Sequence, residues 1–338
     1  MLLARTRRTL NERRMVAPGD VVLVACSGGP DSVAMLDVLS RLSREMQFTI
    51  HVASVDHGLR ADADLDVACA RAHASNIGAP FHSLTVKVPE QASIQDAARE
   101  VRYQALLRKA QEIGSRRVAV GHTMDDQAET VLARILRGAG IEGLAGIAPV
   151  RRDGVVRPFI DCARRDVHAY VQERSLVVRN DPSNVDSRFL RARVRSDLLP
   201  RLSLEDPAVV RHLAALADDA RSAASVLRSR ARRVLRKASR GEGTLSIEGL
   251  ERVPPAVLRA VLRELVRATT GATPGRAQTE ALVHMLAIDR GSVLLPHQWV
   301  GEISPDRQLF RVIRSDSRHT RSDRSQETST AVDTLLDQ

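Results

Sequence analysis

Val21-Val22-Leu23-Val24-Ala25-Cys26-Ser27-Gly28-Gly29-Pro30-Asp31-Ser32 is the stretch that decides the fold of this chain. Five consecutive apolar residues read as a strand, and two glycines at its end let the backbone turn sharply and bring N–H groups to an anion. Val33, Leu36, Leu39 and Leu42 then recur as a helical core stripe, so the positive end of a helix faces the same point. Ser27 and Ser32 add hydroxyl donors, and Asp31 is placed to cap that helix or to help hold a cation. The turn lacks the lysine of the Gly-x-x-x-x-Gly-Lys-Ser/Thr phosphate loop. Taken alone, it fits a strand–turn–helix corner that uses Gly and Ser for geometry equally well.

A second stretch, Val118-Ala119-Val120-Gly121-His122-Thr123-Met124-Asp125-Asp126-Gln127-Ala128-Glu129-Thr130, repeats the pattern of an apolar strand ending at glycine before a helix. Asp125, Asp126 and Glu129 fall within one helical turn, with Asp126 and Glu129 on a shared face. Capping alone would account for carboxylates at a helix start, and packing for His122. The pair of motifs is the stronger signal, because open α/β sheets place ligands at the C-terminal ends of parallel strands.

Apolar runs at 21–26, 50–55, 81–88 and 117–121 alternate with helical patterns near 31–46, 62–77, 93–113 and 125–138. That alternation predicts an α/β doubly wound parallel sheet. A shorter strand is expected near 155–160, a helix over 162–174, and a basic loop-and-turn region over 179–204. A composition shift at Asp206-Pro207 opens a smaller, mainly helical C-terminal domain, with a long basic helix over 208–239, helices at 254–269 and 274–288, and short strands near 292–312. Expected domains are therefore 1–205 and 206–314, with a polar, disordered tail over 315–338.

Several further elements extend the two motifs: Val55-Asp56-His57-Gly58-Leu59-Arg60, Arg157-Pro158, Asp181-Pro182-Ser183-Asn184, and Phe189-Leu190-Arg191 with Arg195 and Leu199-Pro200. With them, the first 200 residues or so resemble the PP-loop (N-type) ATP pyrophosphatase superfamily, and within it the tRNA(Ile)-lysidine synthase family. The resemblance implies an ATP-dependent ligase. The wobble cytidine of an isoleucine tRNA with a CAU anticodon would be adenylated at its C2 carbonyl oxygen, and free lysine would displace AMP to form lysidine. Ser27, Gly28, Gly29, Pro30, Asp31, Ser32, His57, Gly121 and His122 would bind ATP, and Mg2+ would assist through ligands the sequence does not assign. Asp31, Asp125, Asp126 and Glu129 would carry the chemistry, the last three by binding or deprotonating the lysine amine. Arg157, Asp181, Ser183, Asn184, Arg191 and Arg195 would contact tRNA or another anionic substrate. An Asx turn explains Asp-Pro-Ser-Asn as readily. A homodimer is compatible with the family.

Composition sets outer bounds. Fifty-one Lys and Arg against 41 Asp and Glu give a net charge of +10, which favours a polyanionic partner, although an Arg- and Ala-rich genome would bias the count in the same direction. Aromatic residues are only 2%, which argues against recognition by extensive base stacking. Three scattered cysteines without a Cys-x-x-Cys pair argue against a disulfide framework or thiolate metal site. The basic N-terminus has no apolar signal core behind it, so a cytoplasmic protein is expected. Two other readings compete: a PP-loop tRNA sulfurtransferase, or a non-catalytic RNA-binding module on the same fold.

Overall fold

A computed structural model describes residues 1–56, 63–86, 94–179 and 190–315. The chain divides into two compact units, Met1–Arg221 and Ser222–Gln338. The first is built on β1 (Val21–Ala25), β2 (Thr49–Asp56), β3 (Phe81–Thr85), β4 (Arg117–Ala119) and β5 (Val155–Val156). All four pairings are parallel, in the order β3-β2-β1-β4-β5. Val22, Leu23 and Val24 are sealed on both faces, as a central parallel strand requires. The crossovers are α2 (Pro30–Ser43), α3 (Ala63–Asn76), α4 (Ile94–Glu112) and α5 (Met124–Ile135).

The strand order reverses between β1 and β4. Connections leaving these two neighbours diverge to opposite sides, which opens a crevice at their C-terminal ends. Both motifs begin there. Behind it, Val33, Leu36, Leu39 and Leu42 are buried along α2, each side chain contributing about 1.5–3 kcal/mol of burial.

Three parts of the first unit depart from the sequence expectation. Residues 2–12 form α1 (Leu2–Glu12), whose Leu2, Thr6, Thr9 and Leu10 are buried between its exposed arginines. The strand expected over 155–160 is two residues long, because Pro158 has no N–H to extend the ladder. From residue 190 onward the expected loop region 179–204 is helical: α8 (Leu190–Arg193), a π-turn (Val194–Leu198) and α9 (Leu199–Glu205). Buried Val194 and Leu199 anchor it, an apolar spacing hidden among the arginines. Short α6 (Ile141–Leu144) and α7 (Arg164–Glu173) complete the elements around the crevice.

Helix α10 (Val209–Ala238) begins in the first unit and ends in the second, so the division between these units falls inside a helix. The second unit holds α11 (Pro255–Thr270) and α12 (Arg276–Ile288) beside an antiparallel sheet. Its strands are β6 (Thr244–Ser246), β7 (Ser292–Leu295), β8 (Trp299–Ile303) and β9 (Leu309–Arg314), in the order β6-β9-β8-β7. Leu245, Val261, Leu262, Leu282 and Phe310 form its core. The expected tail lies outside the described residues.

Candidate active site

The glycine turn is tightly organised. Gly28 takes φ +78°, a conformation that excludes most side chains, and a Cβ there would lie 3.2 Å from the Asp66 carbonyl oxygen. Ser32 Oγ accepts from Ser27 N–H at 3.1 Å and donates to Gly29 O at 2.9 Å, closing the loop on the first turn of α2. Arg179 N–H donates to Gly28 O at 2.9 Å, and its Nε donates to Asp66 at 3.1 Å.

The second motif abuts the first. A Cβ on Gly121 would come within 3.2 Å of both the Asp31 carbonyl carbon and oxygen and 3.3 Å of Ser32 N, so any side chain here would push the first turn of α2 away by a few tenths of an ångström. Thr123 and Asp126 then form a reciprocal capping box: Asp126 Oδ2 accepts from Thr123 N–H at 2.8 Å, and Thr123 Oγ1 accepts from Asp126 N–H at 3.4 Å. Capping therefore uses one oxygen of Asp126 and leaves the other for the site.

Arg164, at the start of α7, gathers the acidic residues. Its N–H donates to Asp125 Oδ2 at 2.7 Å, so Asp125 caps α7 from across the crevice. Its guanidinium donates to Asp126 Oδ1 at 3.0 Å and Glu129 Oε1 at 2.9 Å, and its Nε lies 4.0 Å from Asp31 Oδ2. Arg191 reaches the same Asp126 oxygen at 3.1 Å and Glu129 Oε2 at 3.4 Å, and Arg195 lies 3.5 Å from Glu129 Oε1. Glu129 is 1% exposed, a burial its guanidinium partners make possible.

These neighbours set opposite proton affinities. Burial pushes Asp31 up to about 6, assisted by the nearby charge of Asp126 and opposed by Arg164 and Arg195. One buried oxygen, Oδ1, has no hydrogen-bond partner among the described residues, and His168 Nε2 stands 3.8 Å away. Burial alone would also raise Asp126, but the Arg164 guanidinium and the Thr123 N–H outweigh it and hold that carboxyl below its usual value. Two carboxylates beside one crevice are thus separated, Asp31 toward higher and Asp126 toward lower proton affinity.

Arg157 is 2% exposed, and its donors go to protein acceptors: Nε to His122 Nδ1 at 3.1 Å, Nη1 to Ala148 O, and Nη2 to Tyr103 OH at 3.4 Å. Ser27, Gly28, Gly29, Pro30, Asp31, Ser32, Gly121, His122, Asp125, Asp126 and Glu129 thus line one crevice, with Arg191 and Arg195 on its acidic side. His57, Asp181, Ser183 and Asn184 lie outside the described residues. Sequence reasoning missed Arg164 and Tyr103; Arg164 sits among Arg165 and Arg174 with no local pattern to single it out. A separate cavity of about 170 Å³, lined by Val33, Leu36, Asp37, His73 and Leu176 among others, holds none of these side chains.

A glycine turn at the strand-order reversal, packed against an acidic helix tip, defines a PP-loop domain, and the PP-loop domain family matches residues 3–202. The TilS substrate binding domain family matches residues 245–309. A tRNA(Ile)-lysidine synthase from Methylobacterium sp. is 38% identical over 244 residues, covering 70% of this chain and 70% of its own length. One from Symbiobacterium thermophilum is 42% identical over 226 residues, covering 64% of this chain and 47% of its own. The chain belongs to the tRNA(Ile)-lysidine synthase family. It spans about half the length of several curated relatives it matches. A solved U34-tRNA thiolase from Methanococcus maripaludis shares the fold, with TM-score 0.57 at 17% identity, covering 64% of this chain and 76% of its own.

Proposed function

We propose that this protein ligates free lysine to C2 of the wobble cytidine of CAU-anticodon isoleucine tRNA, using ATP. The cytidine O2 attacks the α-phosphorus and pyrophosphate leaves. The lysine ε-amine then attacks C2, and the C2–O2 bond breaks to release AMP. Family membership and the single crevice joining the glycine turn to the acidic helix tip support this reading.

The turn and the N-terminus of α2 receive the departing pyrophosphate, where N–H groups and the helix dipole favour an anion. Mg2+ would supply charge neutralisation on the phosphates, and the Asp31 oxygen that has no hydrogen-bond partner among the described residues fits such an oxygen-seeking ion. Across the crevice, Asp31, Asp125, Asp126 and Glu129 face Arg164, Arg191 and Arg195. Among the described residues, that leaves one carboxylate more than guanidiniums, which suits an incoming ammonium. A protonated amine cannot attack. The acidic helix tip, where Asp126 is held ionised, is placed to receive that proton. Arg191 and Arg195 would exchange carboxylate partners for substrate phosphate when tRNA binds. We assign the protein to the cytoplasm with its tRNA; no helix among the described residues is long and apolar enough to cross a membrane.

Sulfur transfer fits less well. Burial pushes Cys26 up to about 11 and Cys162 up to about 12, so neither thiol is a ready nucleophile at neutral pH. The test is incubation with labelled lysine, ATP and an isoleucine tRNA transcript. Label should enter the wobble position only with ATP, with AMP and pyrophosphate released in equal amounts. ATP-independent labelling, or no lysine transfer, would overturn the reading.

A further inference from the structure

We infer that Arg157 is a positioning residue that fixes His122 as its Nε2–H tautomer, making His122 a neutral donor to an anionic oxygen of the bound nucleotide. This deepens the reading above and rests on it.

The geometry dictates the tautomer. Arginine Nε carries a hydrogen and has no lone pair to accept with, so the 3.1 Å contact requires His122 Nδ1 to be the acceptor. The single hydrogen of a neutral imidazole must then sit on Nε2. The guanidinium is held in turn by Ala148 O and Tyr103 OH, which orient its plane and keep Nε aimed at the ring. Main-chain structure fixes the other side, because His122 N–H donates to Val120 O at 3.0 Å directly after β4. His122 Nε2 has no hydrogen-bond partner among the described residues. The residue directly follows Gly121, whose backbone approaches the first turn of α2, so the His122 backbone lies beside the phosphate cradle.

An imidazolium here would point Nδ1–H at Nε–H. Burial first, and then the charges of Arg157, Arg99 and Arg191, hold the ring's pKa down to about 3 against the pull of Asp126. A neutral donor stabilises phosphate charge that develops during pyrophosphate loss without forming a tight ground-state ion pair. The same tautomer cannot accept a proton at Nδ1 while Arg157 occupies it, which leaves base chemistry to the carboxylates.

Long-range nitrogen–proton correlation spectra of the full chain test the tautomer directly, with the His122 signals assigned by their loss in His122→Gln. The expected result is an unprotonated Nδ1 and a protonated Nε2 from about pH 5 to 8, with the Nε2–H signal moving on saturation with ATP and Mg2+. An Nδ1–H tautomer, an imidazolium at neutral pH, or an Nε2–H signal indifferent to ATP would each overturn the inference. Rates add a second arm. His122→Ala should slow pyrophosphate release roughly 100-fold, and His122→Gln, whose amide donates from nearly the Nε2 position, should recover most of that loss. Equal inactivity of the two variants would contradict a donor role. In Arg157→Met, His122 should show mixed tautomers while burial still keeps its ring neutral; an unchanged tautomer would remove Arg157 from the account. If the unsubstituted protein transferred no lysine, the proposed function would fall, while the spectra with ATP would still decide the tautomer and its contact.

Discussion

Asp31 is kept where water would not leave it. In the unfolded chain its pKa is 3.8 and in the folded protein about 6, so the native state binds the proton more tightly. The stabilisation from that proton is complete below pH 3.8 and is lost as pH rises through about 6; at neutral pH an ionised Asp31 costs about 3 kcal/mol. Asp31→Asn should therefore abolish lysine transfer while raising the melting temperature at pH 7.5, with the gain vanishing by pH 4. A parallel measurement on the unsubstituted protein should show the transfer rate rising through pH 6 as the carboxylate ionises. A less stable Asn variant at pH 7.5 would mean that burial is not what governs this group. Arg164 presents the opposite case. Replacing it with Met leaves Glu129 and Asp126 with fewer cations in a buried setting, and urea unfolding should show a loss of about 3–5 kcal/mol. The carboxylates were legible in the sequence because three of them sit within one helical turn. Arg164 was not, since it meets Glu129 across 35 residues of intervening chain and no short-range pattern encodes that meeting.

Elements decide whether the two motifs make one site. Strands β1 and β4 are neighbours although two other strands separate them in sequence, and the crevice exists because the strand order turns there. Alternating apolar runs and helical stripes were enough to predict four parallel strands and their helices, because strand and helix periodicities are local properties. Contact between β4's end and α2's start is not local, and Gly121 carries it. Gly121→Ala should force that helix start and strand end apart by a few tenths of an ångström. We expect a modest stability loss of about 1 kcal/mol but a rate loss of roughly 100-fold, since misplacing reacting groups is costlier than straining a loop. Pyrophosphate release and thermal unfolding on the same preparation separate the two effects; near-normal release would show that the cradle tolerates looser packing. The helical turns over 190–205 were read as loop because four arginines in eight residues masked the Val194–Leu199 anchor, and Arg191 and Arg195 reach the site from that helical segment.

The chain divides into two compact units, and α10 contributes residues to both. A change in composition at Asp206-Pro207 marked the start of that helix, and composition has no means of showing which core each helical turn serves. Contacts supply the distinction. Arg13 pairs with Asp161 at 2.6 Å and with Asp218 at 2.8 Å, and Arg221 donates to the carbonyl oxygens of Ala145 and Ile147 at 2.6 and 2.9 Å. The opening turns of α10 thereby cap the segment that follows α6, whose Ala148 carbonyl in turn holds Arg157. We propose that the catalytic unit extends through Arg221. A chain ending at Glu205 should melt roughly 5–10 °C below one ending at Arg221, because charged hydrogen bonds to two carbonyls and an ion-pair network are lost together. It should also bind ATP more weakly, since the lost contacts support the segment that orients Arg157 and His122. Identical melting and identical ATP affinity for the two chains would place the boundary at 205/206 instead and make those turns an appendage of the second unit.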